Sequence, residues 1–125
     1  MTNDPIADFL TRVRNAQMAR KTSLVCPYST VKHAIAVVMQ KNGFLTSVTK
    51  DESGKFPMLS VEIPEKKMTL KRVSKPGQRI YIKSDEIRKV KNGYGIAVIS
   101  TPEGVMTGYE ARARKMGGEY LCEIS

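Results

Sequence analysis

Apolar residues recur at three- and four-residue steps in two stretches before Gly43, and beyond it they alternate in short runs broken by glycine and proline. The first spacing is the stripe of an amphipathic helix and the second is the two-residue repeat of half-buried strands. The expected order is helix, strand, helix and hairpin, followed by a mainly antiparallel β part, which together make an α+β class.

The first stripe is Ile6, Phe9, Leu10, Val13 and Ala16, over residues 5 to about 20. Asp4 offers a carboxylate to free amides, and the fixed φ of Pro5 suits a first helical turn. Asp8, Thr11, Arg12 and Asn15 share one polar flank of this helix, and Arg14 lies on its other edge. Residues 23 to 27 read as a short strand ended by Pro27. Ser29 then caps a second helix from Thr30 to Asn42, with a buried stripe expected at Val31, Ala34, Ile35, Val38 and Met39. Gly43 stops that helix, because glycine takes the left-handed conformation without a Cβ penalty.

Phe44 to Lys50 and Phe56 to Ile63 read as a hairpin around the loop Asp51 to Lys55, with Met58 out of step in the second arm. The polar stretch beginning at Pro64, Glu65, Lys66 and Lys67 reads as a linker. Past it, Leu70 to Ser74 and Arg79 to Lys83 flank Lys75, Pro76, Gly77, Gln78, where proline and glycine suit the central positions of a type II turn. A short helical or irregular segment follows at Ser84 to Val90, and Asn92, Gly93, Tyr94 and Gly95 lead into a strand at Ile96 to Ile99. Thr107 caps a short helix through Arg114, and Gly117 and Gly118 lead into a last strand, Glu119 to Ile124. The expected organisation is an N-terminal α/β lobe over 1–64 with two helices and a short sheet, a linker over 65–69, and a mainly antiparallel β lobe over 70–125 with a short helix.

Charge narrows the function. Among 125 residues, 21 Lys and Arg face 12 Asp and Glu, a formal net charge of +9 with a pI near 9.7. Such an excess favours a polyanion, since each neutralised phosphate releases condensed counterions. No apolar stretch approaches the roughly 18 residues of a membrane span, and Asn3, Asp4 and Asp8 stand where a signal peptide would be positive, so a cytoplasmic protein is expected. Cys26 and Cys122 lie far apart without a CxxC or Cys/His cluster, which argues against zinc and against a disulfide framework; both are expected as reduced, half-buried strand residues.

Catalytic constellations are thin. His33 is the single histidine, expected on the solvent side of its helix beside Gln40. Asp85 and Glu86 sit among Lys83, Arg88 and Lys89, a surface charge cluster more than a carboxylate pair. Neither GxxxxGK[ST] nor GxGxxG occurs, so no phosphate cradle exists for nucleotide hydrolysis, and no cofactor is implied.

Recognition chemistry is better supplied. Alternation puts Arg79, Tyr81 and Lys83 on one strand face and turns Ile80 and Ile82 to the core, so an aromatic platform is flanked by cations. In isolation, a tyrosine packed on a neighbouring strand explains the same pattern. Ser100 and Thr101 put adjacent hydroxyls on a loop with Pro102, Glu103 and Gly104, able to read base edges or a ribose 2′-hydroxyl. Gly117, Gly118 and Glu119 bring main chain and a carboxylate acceptor near a nucleotide, or serve as an ordinary connector.

These blocks occur together in one known family. DPIADFLTRVRNA at 4–16, KNGF at 41–44, KRVSKPGQRIY at 71–81, GYGIAVISTPEGVMTGYEAR at 93–112 and GGEYLC at 117–122 run in order along nearly the whole chain, which resembles the eighth-protein family of the bacterial small ribosomal subunit, S-eight. The resemblance implies a two-lobed α+β protein that binds the central domain of 16S ribosomal RNA, organises the platform of the 30S subunit, and reads RNA mainly through its C-terminal lobe. Carried onto this sequence, the implied RNA surface is Tyr81, Ser100, Thr101, Gly104, Gly118 and Glu119, supported by Arg12, Arg14 and Asn15, with Lys75 and Lys83 as phosphate contacts. Two departures stand out: Pro102 and Glu103 replace a small hydroxyl or amide residue and a basic one, and Ser125 replaces an aromatic or apolar end. The resemblance further implies S-five and S-twelve as neighbours, and in some bacteria repression through an own-operon messenger RNA that mimics the ribosomal site. A nucleic-acid enzyme is the third class, disfavoured by the missing acid–base constellation. A free monomer is expected, since no heptad or long exposed apolar run demands self-association.

Overall fold

The computed structural model describes residues 4–88 and 95–125, which divide into two compact units, Met1–Lys67 and Met68–Ser125. Asn3, the end of the segment expected through Val90, and the lead Asn92 to Tyr94 lie outside the described residues. The class is α+β, with two helices and a three-stranded antiparallel sheet in the first unit and an antiparallel sheet with a short helix in the second.

In the first unit, helix α1 spans Pro5–Met18 and buries all five residues of its expected stripe; the Asp4 carboxylate accepts from the Ala7 amide at 3.2 Å. It closes without glycine. Arg20 takes φ +56°, and the Lys21 amide donates back to the Ala16 carbonyl at 2.8 Å, a six-to-one closure usually given to glycine. Strand β1, Ser23–Pro27, leads to helix α2, Thr30–Lys41, capped by Ser29. The buried arc of α2 is Lys32, Ile35, Ala36, Val38 and Met39, while Val31 and Ala34 are only half-buried. A hydrophobic count excludes a lysine, and here the lysine has partners: its Nζ donates to Asp8 Oδ2 at 2.6 Å and to the Pro27 carbonyl at 3.3 Å. His33 is also turned from its expected solvent position. It is half-buried, with Nδ1 3.3 Å from the Tyr28 hydroxyl and the two rings edge to face at 5.5 Å.

Strands β2, Ser47–Asp51, and β3, Met58–Glu62, are shorter than the runs suggest, because Phe44 closes α2 through its amide to Met39 O and Phe56 stands exposed. The order is β1-β3-β2, with Cys26 opposite Leu59 and Val48 opposite Val61.

The second unit contains β4 (Leu70–Arg72), β5 (Tyr81–Ile82), a 3₁₀ turn (Ser84–Glu86), β6 (Ile96–Thr101), β7 (Gly104–Thr107), α3 (Gly108–Ala113) and β8 (Gly118–Ile124). The sheet runs β4-β8-β6-β7, and β5 pairs with β8 beyond the end of β4. Thr107 caps α3 through the Glu110 amide at 3.2 Å, and Ala111 packs with Ile87, Ala97, Ile99 and Met106 on one sheet face, joined by Ile82 and Tyr120. Ile80 does not reach this core. It precedes the strand and is 37% exposed. Lys75 and Gln78 exchange two backbone hydrogen bonds of 3.0 Å, but Gly77 has no positive φ, so the turn is not type II. Pro76 fixes a φ common to types I and II and leaves open which one forms.

Both cysteines are free and lie deeper than half-buried, at 0% exposure. Burial raises the Cys26 thiol and pushes Cys122 up to about 12.

Candidate nucleic-acid interface

Strand register assembles the site. Ser100 of β6 faces Glu119 of β8, and Glu119 faces Tyr81 of β5, so three residues far apart in sequence form one row across three neighbouring strands. Directly opposed residues share a sheet face. Because Ile99, Ile82 and Tyr120 belong to the core beneath α3, alternation points the row Ser100, Glu119, Tyr81 away from that helix.

The register depends on a bulge. Between Val98 and Ile99 the β6–β8 pairing shifts, so that Val98 faces Cys122 while Ile99 faces Tyr120, leaving Leu121 as the extra residue. Without it, Ser100 would face Tyr120 and the carboxylate would change faces. Bulges of this kind re-aim side chains near the end of a sheet.

Exposure along the row is graded. Tyr81 is 67% exposed, with its ring open to solvent, while Ser100 and Glu119 are half-buried. Among the described residues the Ser100 and Tyr81 hydroxyls make no hydrogen bond, leaving a donor at each end of the row. The Glu119 carboxylate between them is held on one oxygen, where Ser74 Oγ donates to Oε2 at 2.6 Å, while exposed Arg79 places Nη1 3.9 Å from Oε1. Lys75 and Lys83 are exposed beyond the two arms of the hairpin, and the Lys83 amide donates to Glu86 Oε1 at 3.0 Å.

Other expected readers have work inside the fold. Thr101 is buried, and its hydroxyl donates to the Gly104 carbonyl at 2.8 Å while accepting from the Glu103 amide at 3.2 Å. It shapes the turn and does not present a hydroxyl outward. Gly104 takes φ +124°, with no atom within 4 Å of an added Cβ, so backbone conformation requires the glycine. At Gly118 the constraint is packing. A Cβ there would lie 2.1 Å from the Ser100 carbonyl oxygen, so the glycine lets β8 approach Ser100 closely. Gly117 is similarly confined, 2.5 Å from the Ile82 carbonyl. The acidic departure in this loop is neutralised locally, since Arg114 Nη1 lies 3.3 Å from Glu103 Oε2.

The remaining candidates are on α1. Arg12, Arg14 and Asn15 are exposed, and Arg12 Nε donates to both oxygens of Asp8, at 3.0 and 3.2 Å. The Lys32 ammonium, with help from Arg12, holds the Asp8 carboxyl below its usual range against the opposing effect of burial. Spacing on the helix placed Arg12 and Asn15 on an exposed flank, as observed, but carried no signal for the buried Lys32. Ser74 was likewise missed, because a serine beside a turn reads as solvent-exposed.

Among the described residues no group of three or more His, Cys, Asp or Glu could hold a metal ion, and no helix is long and apolar enough to cross a membrane. A row of hydroxyl, carboxylate and exposed aromatic ring with Arg79 beside it carries recognition groups. A family comparison decides what kind of protein carries it: residues 4–125 match the ribosomal protein S8 family. The chain belongs to that family. The S8 relatives include the small ribosomal subunit protein uS8 of Pediococcus pentosaceus, 50% identical over 127 aligned positions, covering 97% of this chain and 96% of the relative. The uS8 proteins of a Thermoanaerobacter species and of Levilactobacillus brevis are 47% and 48% identical over the same coverage. As an S8-family member the chain is a ribosomal protein, not an enzyme.

Proposed function

We propose that this protein is a structural constituent of the small ribosomal subunit that binds the central domain of 16S ribosomal RNA directly and helps organise the 30S platform. The observation that carries the reading is the row Ser100, Glu119, Tyr81 on the face of the second unit's sheet away from α3. Its groups match an irregular RNA. A tyrosine ring stacks on a base or ribose, a serine hydroxyl donates or accepts, and a carboxylate accepts from an exocyclic amine or a 2′-hydroxyl. Thr101, Gly104 and Gly118 hold the row's shape. Lys75, Lys83, Arg12, Arg14 and Asn15 contact phosphate and sugar, which adds affinity without reading sequence.

In this reading the segment over 70–125 is the main reader, the one over 1–64 supports it, and 65–69 connects them. The protein works in the cytoplasm within the ribosome, beside S-five and S-twelve, and is monomeric when free. Repression of an own-operon messenger RNA would use the same row and has no observation of its own in its favour.

The test is binding of the purified chain to a central-domain fragment of 16S RNA at near-physiological salt, with unrelated structured RNA as competitor. Tight binding that resists the competitor, and that Ser100→Ala and Tyr81→Ala weaken without unfolding the protein, is the expected result. Binding removed equally by any RNA, or near wild-type affinity in both folded variants, would overturn it.

A further inference from the structure

Ser74 lies outside the row yet is connected to it, and it is 0% exposed, so it cannot touch RNA itself. It sits where β4 gives way to β5 along β8. Its amide donates to Tyr120 O at 3.0 Å, while the Tyr120 amide donates to Ile80 O at 2.9 Å, so Ser74 and Ile80 clasp the same residue of β8 from the two hairpin arms. The hydroxyl joins those arms and the row: it accepts from the Ile80 amide at 3.1 Å and donates to Glu119 Oε2 at 2.6 Å. Its carbonyl accepts from Arg72 Nε.

We propose that Ser74 is the positioning residue of the RNA-reading row, its buried hydroxyl fixing the Glu119 carboxylate between Ser100 and Tyr81. This rests on the reading of the row as the RNA surface. A free glutamate side chain holds several rotamers, and each one frozen on binding opposes association. Here one carboxylate oxygen is already fixed by a short charge-assisted bond from a group that has no freedom of its own. The same hydroxyl ties down the amide next to Tyr81, so the ring and the carboxylate are set by one buried atom. The other oxygen, toward exposed Arg79 at 3.9 Å, is the one left to meet RNA.

The test uses the full chain and the central-domain 16S RNA fragment. Ser74→Thr and Ser74→Val have the same shape and differ by a hydroxyl, so packing strain cancels between them. The threonine variant is expected to bind the fragment about ten-fold more tightly than the valine variant, the worth of one hydrogen bond to a charged group. Both should bind unrelated RNA equally, which a merely structural serine would also allow. The discriminating arm repeats the pair in a Glu119→Ala background, where the difference should fall below about two-fold, since the two residues act as one unit. Equal binding by the Thr and Val variants overturns the proposal, as does a difference that survives loss of Glu119. Ser74→Ala provides the same comparison against wild type should the larger side chains not fold. If Glu119→Ala and Tyr81→Ala both bind the fragment as wild type does, the row itself is not the reader, and both this proposal and the reading beneath it fall together.

Discussion

Replacing Gly118 with alanine should disrupt the row Ser100, Glu119, Tyr81 from within. The added Cβ would lie 2.1 Å from the Ser100 carbonyl oxygen, 2.9 Å from its carbon and 3.2 Å from Ile99 Cγ2. The oxygen must retreat by about 1 Å to reach an ordinary contact, and the backbone around it is paired on both sides, to β7 and to β8. Overpacking of this kind costs about 1 to 3 kcal/mol, and weakening one ladder hydrogen bond adds about 1 kcal/mol. Alanine recovers about 0.5 kcal/mol by restricting the unfolded chain. The net loss is about 1.5 to 3.5 kcal/mol, a fall of roughly 5 to 20 °C in the midpoint of a chain of this size. Thermal unfolding by circular dichroism measures it, and RNA affinity is read well below the midpoint. Gly104→Ala is the control: strain at φ +124° costs about 1 to 2 kcal/mol but pushes on no neighbour. Gly118→Ala should therefore lose more stability than the control and also weaken specific binding by moving Ser100. A Gly118→Ala midpoint within about 3 °C of wild type, or a loss smaller than the control's, would refute the packing argument.

Removing either member of the pair between half-exposed Asp8 on α1 and buried Lys32 on α2 should have unequal effects. Asp8→Ala strands the Lys32 ammonium with only the Pro27 carbonyl and should cost about 2 kcal/mol, whereas Lys32→Met should cost less than about 1 kcal/mol; denaturant titration distinguishes them. The Asp8 carboxyl is held below its unfolded value, so the stability it contributes is complete above that unfolded value and is lost as pH falls through the folded one. Acid unfolding of Asp8→Asn should accordingly show a shallower pH dependence below about pH 4 than wild type. Arg20→Gly, at φ +56°, should raise stability by about 0.5 to 1 kcal/mol in the same titration, since glycine relieves the left-handed strain. Lys83→Ala should lower affinity evenly across RNAs and reduce the slope of log affinity against log salt by about 0.7 to 1, and an unchanged slope would remove Lys83 from the phosphate contacts.

The sequence alone determined the elements that local rules control. The α1 stripe, the caps Asp4, Ser29 and Thr107, and the stop at Gly43 all follow from periodicity and from groups that satisfy backbone amides within a few residues. The alternating runs likewise gave the antiparallel sheets, and the matched blocks gave the family. Local rules failed where a side chain's partner lay far along the chain. Lys32 is buried because Asp8 is 24 residues away, and Ser74 is buried because Glu119 is 45 residues away. Neither distance appears in a spacing. Gly118 follows the same rule, since the Ser100 carbonyl that crowds it is a tertiary neighbour, whereas the Thr101 hydroxyl is engaged by Glu103 and Gly104 within its own turn. Which face the row Ser100, Glu119, Tyr81 occupies was decided by Leu121, the residue left without a partner on β6, because a strand's side chains alternate and a single bulge reverses every position beyond it.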